Sequence, residues 1–157
     1  MGEKLFIKLV SGGQTGVDRA ALDVASDLGI ASAGWCPQGR KAEDGRLPDH
    51  YPMKETSTGE YAQRTEWNVR DSDGTLVLTR GPATEGTAFT ITTARRLGKP
   101  YLVLDLSNQD ATATAVLSWV QEHNVGVLNV AGPRESKCPG IYKLAKEFLR
   151  ELFSHAE

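Results

Sequence analysis

The sequence predicts a doubly wound, three-layer α/β sandwich with a mainly parallel five-stranded sheet, formed by one domain spanning residues 1–157. Three observations lead there. Short apolar runs of strand type alternate along the chain with stretches whose apolar residues recur every three or four positions. Two strand-to-helix turns are rich in glycine. A chain of 157 residues, 39% hydrophobic and 24% charged, is also long enough for one ordinary core.

Leu5 to Val10 is an apolar run stopped by Ser11-Gly-Gly-Gln-Thr-Gly16. Val17, Ala20, Ala21, Val24, Ala25 and Leu28 then form one helical face, which Gly29 ends. Alanines on that face let the helix lie close to a sheet, and Thr15-x-x-Asp18 reads as a capping pair for its first turn. Ile30 to Trp35 is a second, weaker strand. Cys36 to Thr58 is rich in Pro, Gly and charge and has no period. Such a segment is a lid, a binding loop or disorder, and the aromatic residues at its borders favour one that packs. Gly59 to Asp71 reads as a helix carrying Arg64 and Asn68 one turn apart on one face.

Thr75 to Thr79 is a third strand, followed by Arg80-Gly-Pro-Ala-Thr-Glu-Gly-Thr87 and a helix that Gly98-Lys-Pro100 stops. Tyr101 to Leu106 is a fourth strand, and Ala113, Val116, Leu117 and Val120 mark the next helix. Val125 to Val130 is a fifth strand, entering Ala131-Gly-Pro-Arg-Glu-Ser-Lys137. The last helix opens at Pro139 and buries Ile141, Leu144, Ala145, Phe148, Leu149 and Leu152. Parallel strands need right-handed crossovers, and the simplest strand order is 2-1-3-4-5. In that order the chain reverses between the first and third strands, where ligands bind beyond the carboxyl ends.

Charge and composition narrow the function. A net charge of −2 supplies no basic field, so neither nucleic acid nor an anionic membrane is an expected partner. No apolar run is long enough to span a bilayer, and Met1 to Val10 lacks a signal peptide's cleavage region, so the expected location is the cytoplasm. Cys36 and Cys138 stand far apart without CxxC spacing, and His50, His123 and His155 are scattered. A metal held by the protein's own side chains is therefore not expected. Gly81-x-x-x-x-Gly86 has P-loop spacing but continues as Thr87-Ala88, without the lysine of Walker-type hydrolysis. Gly12-Gly-x-x-Gly16 is not GxGxxG, and the second strand ends in Trp35-Cys36 rather than an acid, which argues against a conventional dehydrogenase.

What remains is anion chemistry. A glycine-rich turn opening a helix aims backbone N–H groups along a positive helix end. Gly12, Gly13 and Gly16 permit close approach and Gln14 and Thr15 add donors; Gly81, Thr84, Gly86 and Thr87 offer the same from the second loop, and Gly132 from the third. The same glycines also serve as plain tight turns. Asp18 is a site acid or a helix-capping acid, and Glu85 is a candidate general acid or base or an exposed first-turn glutamate. Arg40, Arg64 and Arg134 are the foremost cations for an anionic ligand, with Arg19, Lys41 and Lys137 behind them; Asn68 shares the face of Arg64. Trp35 and Tyr61 are either stacking surfaces or anchors.

Ser11-Gly-Gly-Gln-Thr-Gly-Val-Asp-Arg19, Gly34-Trp-Cys-Pro-Gln-Gly-Arg40, Ala42-Glu-Asp-Gly45, Arg64-Thr-x-x-Asn68-Val and Gly81-Pro-Ala-Thr-Glu-Gly-Thr87 together resemble the molybdenum carrier family. That family is similar to the YpsA-like branch of the SLOG superfamily and related to molybdenum-cofactor carriers and LOG proteins. The resemblance implies a Rossmann-like domain, a homo-oligomer, and a phosphate-bearing small molecule held in the glycine-loop crevice. The implied ligand is molybdenum cofactor or a related pterin or nucleotide; its molybdenum rides on the pterin dithiolene, so protein metal ligands are unnecessary. LOG relatives instead cleave nucleoside monophosphates with PGGxGTxxE, whose glutamate position is Thr90 here. Glu85 is then the candidate catalytic carboxylate of a LOG-like phosphoribohydrolase, and a sensor of NAD or ADP-ribose is a further alternative to a non-enzymatic carrier.

Overall fold

Alternating strand and helix periods become alternating elements on either side of a run of short strands. The computed structural model describes residues 8–155, so Leu5 to Ile7 of the expected first strand lie outside it. In order the elements are β1 (Lys8–Val10), α1 (Val17–Leu28), β2 (Ser32–Ala33), β3 (Trp35–Cys36), β4 (Lys41–Ala42), β5 (Gly45–Arg46) and β6 (Lys54–Glu55). There follow α2 (Tyr61–Arg70), β7 (Gly74–Thr79), α3 (Glu85–Arg96), β8 (Tyr101–Asp105), α4 (Ala113–Glu122), β9 (Val127–Ala131), a 3-10 turn (Glu135–Lys137) and α5 (Ile141–His155). No helix among the described residues is long and apolar enough to cross a membrane.

The central sheet is parallel throughout, with order β2-β1-β9-β7-β8. This corrects the order 2-1-3-4-5: the last strand, β9, inserts between β1 and β7. The reason is burial. Leu128, Asn129 and Val130 are all enclosed, as befits a strand covered on both faces, whereas Val103 on β8 is 40% exposed, as an edge position allows. When the count starts at β9 and continues through β1, β2, β7 and β8, the order becomes 3-2-1-4-5, that of dinucleotide-binding sheets. The chain is thus a circular permutation of that plan, and its switch point lies between β9 and β7.

Helix α1 buries Val17, Ala20, Ala21, Val24 and Ala25, packs against α5, and ends at Gly29 in the left-handed conformation. Helix α5 also packs on α4, while α2 packs on α3. One apolar cluster joins Leu9, Leu76, Leu78, Leu128 and Val130 of the sheet to Leu149, Leu152 and Phe153 of α5. The expected Thr15–Asp18 capping pair does not form. Helix α1 begins at Gly16 without a side-chain cap, the Thr15 hydroxyl donates to Glu43, and Asp18 accepts the N–H of Gln14.

The unperiodic segment after Cys36 does pack. Strands β3 and β6 pair in parallel, Trp35 opposite Lys54, and β4 and β5 form a small hairpin. Behind the hairpin, the buried Arg40 guanidinium donates to the carbonyls of Leu47 (3.0 Å), Met53 (3.2 Å), Pro48 (2.7 Å) and Tyr51 (2.9 Å). A segment without secondary structure must satisfy its carbonyls somehow, and one arginine serves four. The Tyr51 and Tyr142 hydroxyls both donate to Asp23, at 2.6 and 2.5 Å, tying the segment to α1 and α5. Arg40→Ala should therefore lower unfolding free energy by about 2–4 kcal/mol, because buried carbonyls lose their donors. Chemical denaturation measures the loss, and faster amide hydrogen exchange between residues 47 and 56 should accompany it.

Candidate functional site

Beyond the carboxyl ends of β1, β9 and β7, three loops and helices α2 and α3 enclose a cleft of about 620 Å³. It lies at the switch point, where an open α/β sheet leaves a crevice between loops that diverge. Of the residues expected from sequence, the cleft brings together Gly12, Gln14, Asp18, Arg64, Asn68, Thr84, Glu85, Gly86, Thr87, Gly132 and Arg134.

Gly13, Thr15, Gly16, Arg40 and Gly81 do not line it, each for a packing reason. The Gly13 carbonyl accepts Arg19, at 3.2 Å from Nε. Thr15 turns its hydroxyl to Glu43 and also accepts the N–H of Glu135 at 3.1 Å. Gly16 has φ +79°, and a Cβ there would lie 2.3 Å from the Pro133 carbonyl oxygen, so glycine is required for two loops to touch. Arg40 is committed to the carbonyls of residues 47–53. Gly81 donates its N–H to Asp105 Oδ1 at 3.1 Å, on the far side of β7.

The wall of the cleft is built on a buried ion pair. Arg64 Nη1 donates to the Gly12 carbonyl (3.1 Å) and to Asp18 Oδ2 (3.2 Å). A Cβ on Gly12 would fall 2.4 Å from that nitrogen, so the guanidinium lies directly on bare backbone. Burial pushes the Asp18 carboxyl up to about 6, against the opposing pull of Arg64, the Gln14 N–H and Arg19. Asn68 uses both ends of its amide on the Trp35 backbone, accepting its N–H at 2.8 Å and donating to its carbonyl at 3.0 Å. It positions β3. Trp35 is likewise an anchor, its indole donating to Asp71 and its ring edge-on to Trp67 at 4.8 Å.

Cations gather at the rim around Tyr61. Lys41 Nζ, Arg64 Cζ and Arg134 Cζ lie 4.9, 5.3 and 5.6 Å from the ring centroid, and Lys137 lines the same cleft. Glu43, at the hairpin tip, accepts the Thr15 hydroxyl, the Ser136 N–H (3.1 Å) and the Ser136 hydroxyl (2.5 Å). Burial would raise its pKa, but these hydrogen bonds outweigh burial and hold the carboxyl below its ordinary value.

The opposite wall is the start of α3. Thr84 caps it without a side-chain bond, and the first internal bond runs from Ala88 N–H to the Thr84 carbonyl. The N–H groups of Glu85, Gly86 and Thr87 thus have no acceptor among the described residues. A Cβ built on Gly86 meets nothing within 4 Å, so this glycine opens on space. Glu85 stands exposed beside it.

Sequence reasoning missed Asn129, Phe89, Thr65 and Thr90 as lining residues. Asn129 had a signal, being a lone amide within an apolar strand run, which a buried strand tolerates only with a partner. Among the described residues no group of His, Cys, Asp and Glu could hold a metal ion.

A family model described as "Circularly permutated YpsA SLOG family" matches residues 9–153. A solved structure of the "Putative molybdenum carrier protein" from Syntrophus aciditrophicus SB is 46% identical in sequence, covers 96% of both chains, and superposes with a TM-score of 0.91. No curated protein matches the chain.

The Asp18 carboxylate opposes anions in this cleft until it is protonated. Sulfate, a dianion throughout the useful range, should bind several-fold more tightly as pH falls through about 6, the value to which Asp18 is raised. Asp18→Asn should hold the tighter affinity across the range. Calorimetric titration at pH values on both sides of the transition reads the effect, and a flat profile in the wild type would count against it.

Proposed function

We propose a function from the premise that the chain belongs to the circularly permuted YpsA SLOG family. It is a binding protein for a phosphate-bearing pterin or nucleotide, and molybdenum cofactor is the first candidate. The observation that carries this reading is the open first turn of α3, where three N–H groups without acceptors face a cleft rimmed by Lys41, Arg134 and Lys137. Backbone donors at a positive helix end suit a phosphate, and the cationic rim supplies the countercharge. Thr84 and Thr87, whose hydroxyls lie 3.0 Å apart, stand beside that turn as further donors.

Gly86 leaves its wall open, Gly12 and Gly132 let Arg64 and the Leu78 carbonyl pack where a side chain would stand, and Gln14, Asp18 and Arg64 face the organic part of the ligand. Molybdenum enters as cargo on that ligand's own sulfurs. The name of the Syntrophus protein supports this choice of ligand over other phosphates. Glu85 supports a second reading, cleavage of a nucleoside monophosphate at its glycosidic bond, because it lines the same cleft next to the phosphate position. Loss of such turnover in Glu85→Gln would select it.

Gly86→Ala separates binding from folding. In the first turn of a helix the new methyl meets no protein atom and alanine favours helix by up to about 1 kcal/mol, so stability should hold or rise. Affinity for ribose 5-phosphate should fall at least about tenfold, because the methyl stands where the phosphate approaches. Unchanged affinity in the folded variant would remove the α3 turn from the site. Mass spectrometry of small molecules released from natively purified protein, beside a molybdenum assay, then names the ligand: a pterin phosphate with molybdenum establishes the carrier, an adenine nucleotide without it the alternatives.

A further inference from the structure

Four residues at the base of the cleft, each at least nine-tenths buried, keep one side-chain polar atom unengaged. Gln14 Oε1 accepts the N–H groups of Thr15 (3.0 Å) and Glu43 (2.8 Å). Two backbone donors on one end fix the orientation of the amide, so Nε2 is the free end. Asn129 donates Nδ2 to Thr75 Oγ1 at 3.2 Å and keeps Oδ1. Asp18 uses Oδ2 for Gln14 and Arg64 and keeps Oδ1, while Arg64 uses Nη1 and Nε and keeps Nη2. Among the described residues no buried side-chain nitrogen or oxygen lacks a partner, so these four atoms reach solvent. For residues this enclosed, the solvent is that of the cleft they line.

The base therefore offers two donors, Gln14 Nε2 and Arg64 Nη2, and two acceptors, Asp18 Oδ1 and Asn129 Oδ1. A phosphate monoester dianion does not match it, since the dianion only accepts and the Asp18 carboxylate repels it. A flat ring with hydrogen-bonding edges can, and Tyr61 and Phe89 line the same cleft as its apolar flanks. The pairing edge of adenine pairs one donor group with one ring-nitrogen acceptor, leaving an acceptor of the base unmatched. A 2-amino-4-oxo ring presents an amino group, a neighbouring ring N–H and a carbonyl. Its two donor groups answer the two acceptors, and its carbonyl oxygen suits the guanidinium of Arg64.

We propose that the base of the cleft selects a 2-amino-4-oxo heteroaromatic ring, the arrangement that guanine and pterins share, over a 6-aminopurine; this rests on the reading of the cleft as a phosphate-ligand site. The two sources differ in what the ring carries, so the test uses both.

Calorimetric titration of the full chain with GMP, AMP, ribose 5-phosphate, and phosphate-free pterin and adenine tests the proposal. GMP should bind at least about tenfold more tightly than AMP, and pterin more tightly than adenine, because a site built for hydrogen bonds rejects a ring that leaves its groups unpaired. Preference for GMP without binding of pterin assigns the ring to a nucleotide, and binding of pterin with GMP no better than ribose 5-phosphate assigns it to a pterin. Asp18→Asn should bring the GMP-to-AMP ratio to about one: the Gln14 N–H and Arg64 claim the amide oxygen, which turns its NH2 toward the ring. If that variant does not fold, Asn129→Ser, which retains a hydroxyl for Thr75, should reduce the same ratio. Phosphates that bind without regard to the ring, with pterin no tighter than adenine, overturn this proposal and leave the phosphate site standing. Pterin binding with no phosphate binding does the reverse, and AMP equal to or tighter than GMP, with adenine equal to or tighter than pterin, overturns ring selection outright.

Discussion

The contact of Arg64 with Asp18 and the Gly12 carbonyl is the constraint on which the cleft depends. It joins α2 to the loop after β1 across a long interval of sequence. A buried ion pair adds little net stability, because desolvation offsets much of the attraction, but it tolerates few alternative arrangements. Here the pair fixes three things at once. The guanidinium requires bare backbone at Gly12, it lies 5.3 Å from the centroid of the Tyr61 ring, and it holds the Asp18 carboxylate against the base of the cleft. Removal of either charge would leave the other buried without a partner and unsettle loop and helix together.

The hairpin β4–β5 is the second element of this frame. Its tip carries Glu43 and Asp44, and the two acids take different partners: Glu43 reaches Thr15 and Ser136, and Asp44 is held by Arg19 at 2.9 Å. Arg19 meanwhile donates to the Gly13 carbonyl, so the first loop is gripped from both sides. The Glu43 N–H also fixes Gln14 Oε1, which decides that the amide presents a donor to the cleft. Residues at the tip of an outlying hairpin thus set the hydrogen-bonding sense of the cleft base without lining it. Rigid support of this kind is what allows a binding site to hold its geometry before the ligand arrives.

Most elements of the fold were legible in the sequence because they are local. Period and punctuation marked α1, α3, α4 and α5, and Gly29 and Gly98 ended helices where expected. The place of β9 was not legible. Whether α4 returns the chain to the sheet edge or to its centre is decided by packing between distant segments, and no local period records it. The site shows the same division. Gly86 and Arg134 were readable from loops that open helices and Arg64 from a helix face, while Arg40 sat in a motif of similar promise and is committed to backbone carbonyls away from the cleft. A guanidinium that satisfies four carbonyls and one that meets a ligand leave the same letter in the sequence; only the fold of the surrounding segment distinguishes them.

Circular permutation explains why the richest glycine loop is not the one whose glycine opens on empty space. In the unpermuted strand count β9 comes first and β1 second, so Ser11–Gly16 follows the second strand of the plan. The loop after β9, Ala131-Gly-Pro-Arg134, is the one at the switch point, opposite the start of α3. The glycines after β1 accordingly have another task. Gly12 admits Arg64 and Gly16 admits Pro133, so both are filled by protein, while Gly86 across the cleft is filled by nothing. Glycine that permits packing and glycine that permits a ligand differ in what lies where the side chain would have been. By that criterion α3 is the wall open to the proposed phosphate, the first loop is the frame, and the cleft between them is the room left for the rest of the proposed ligand.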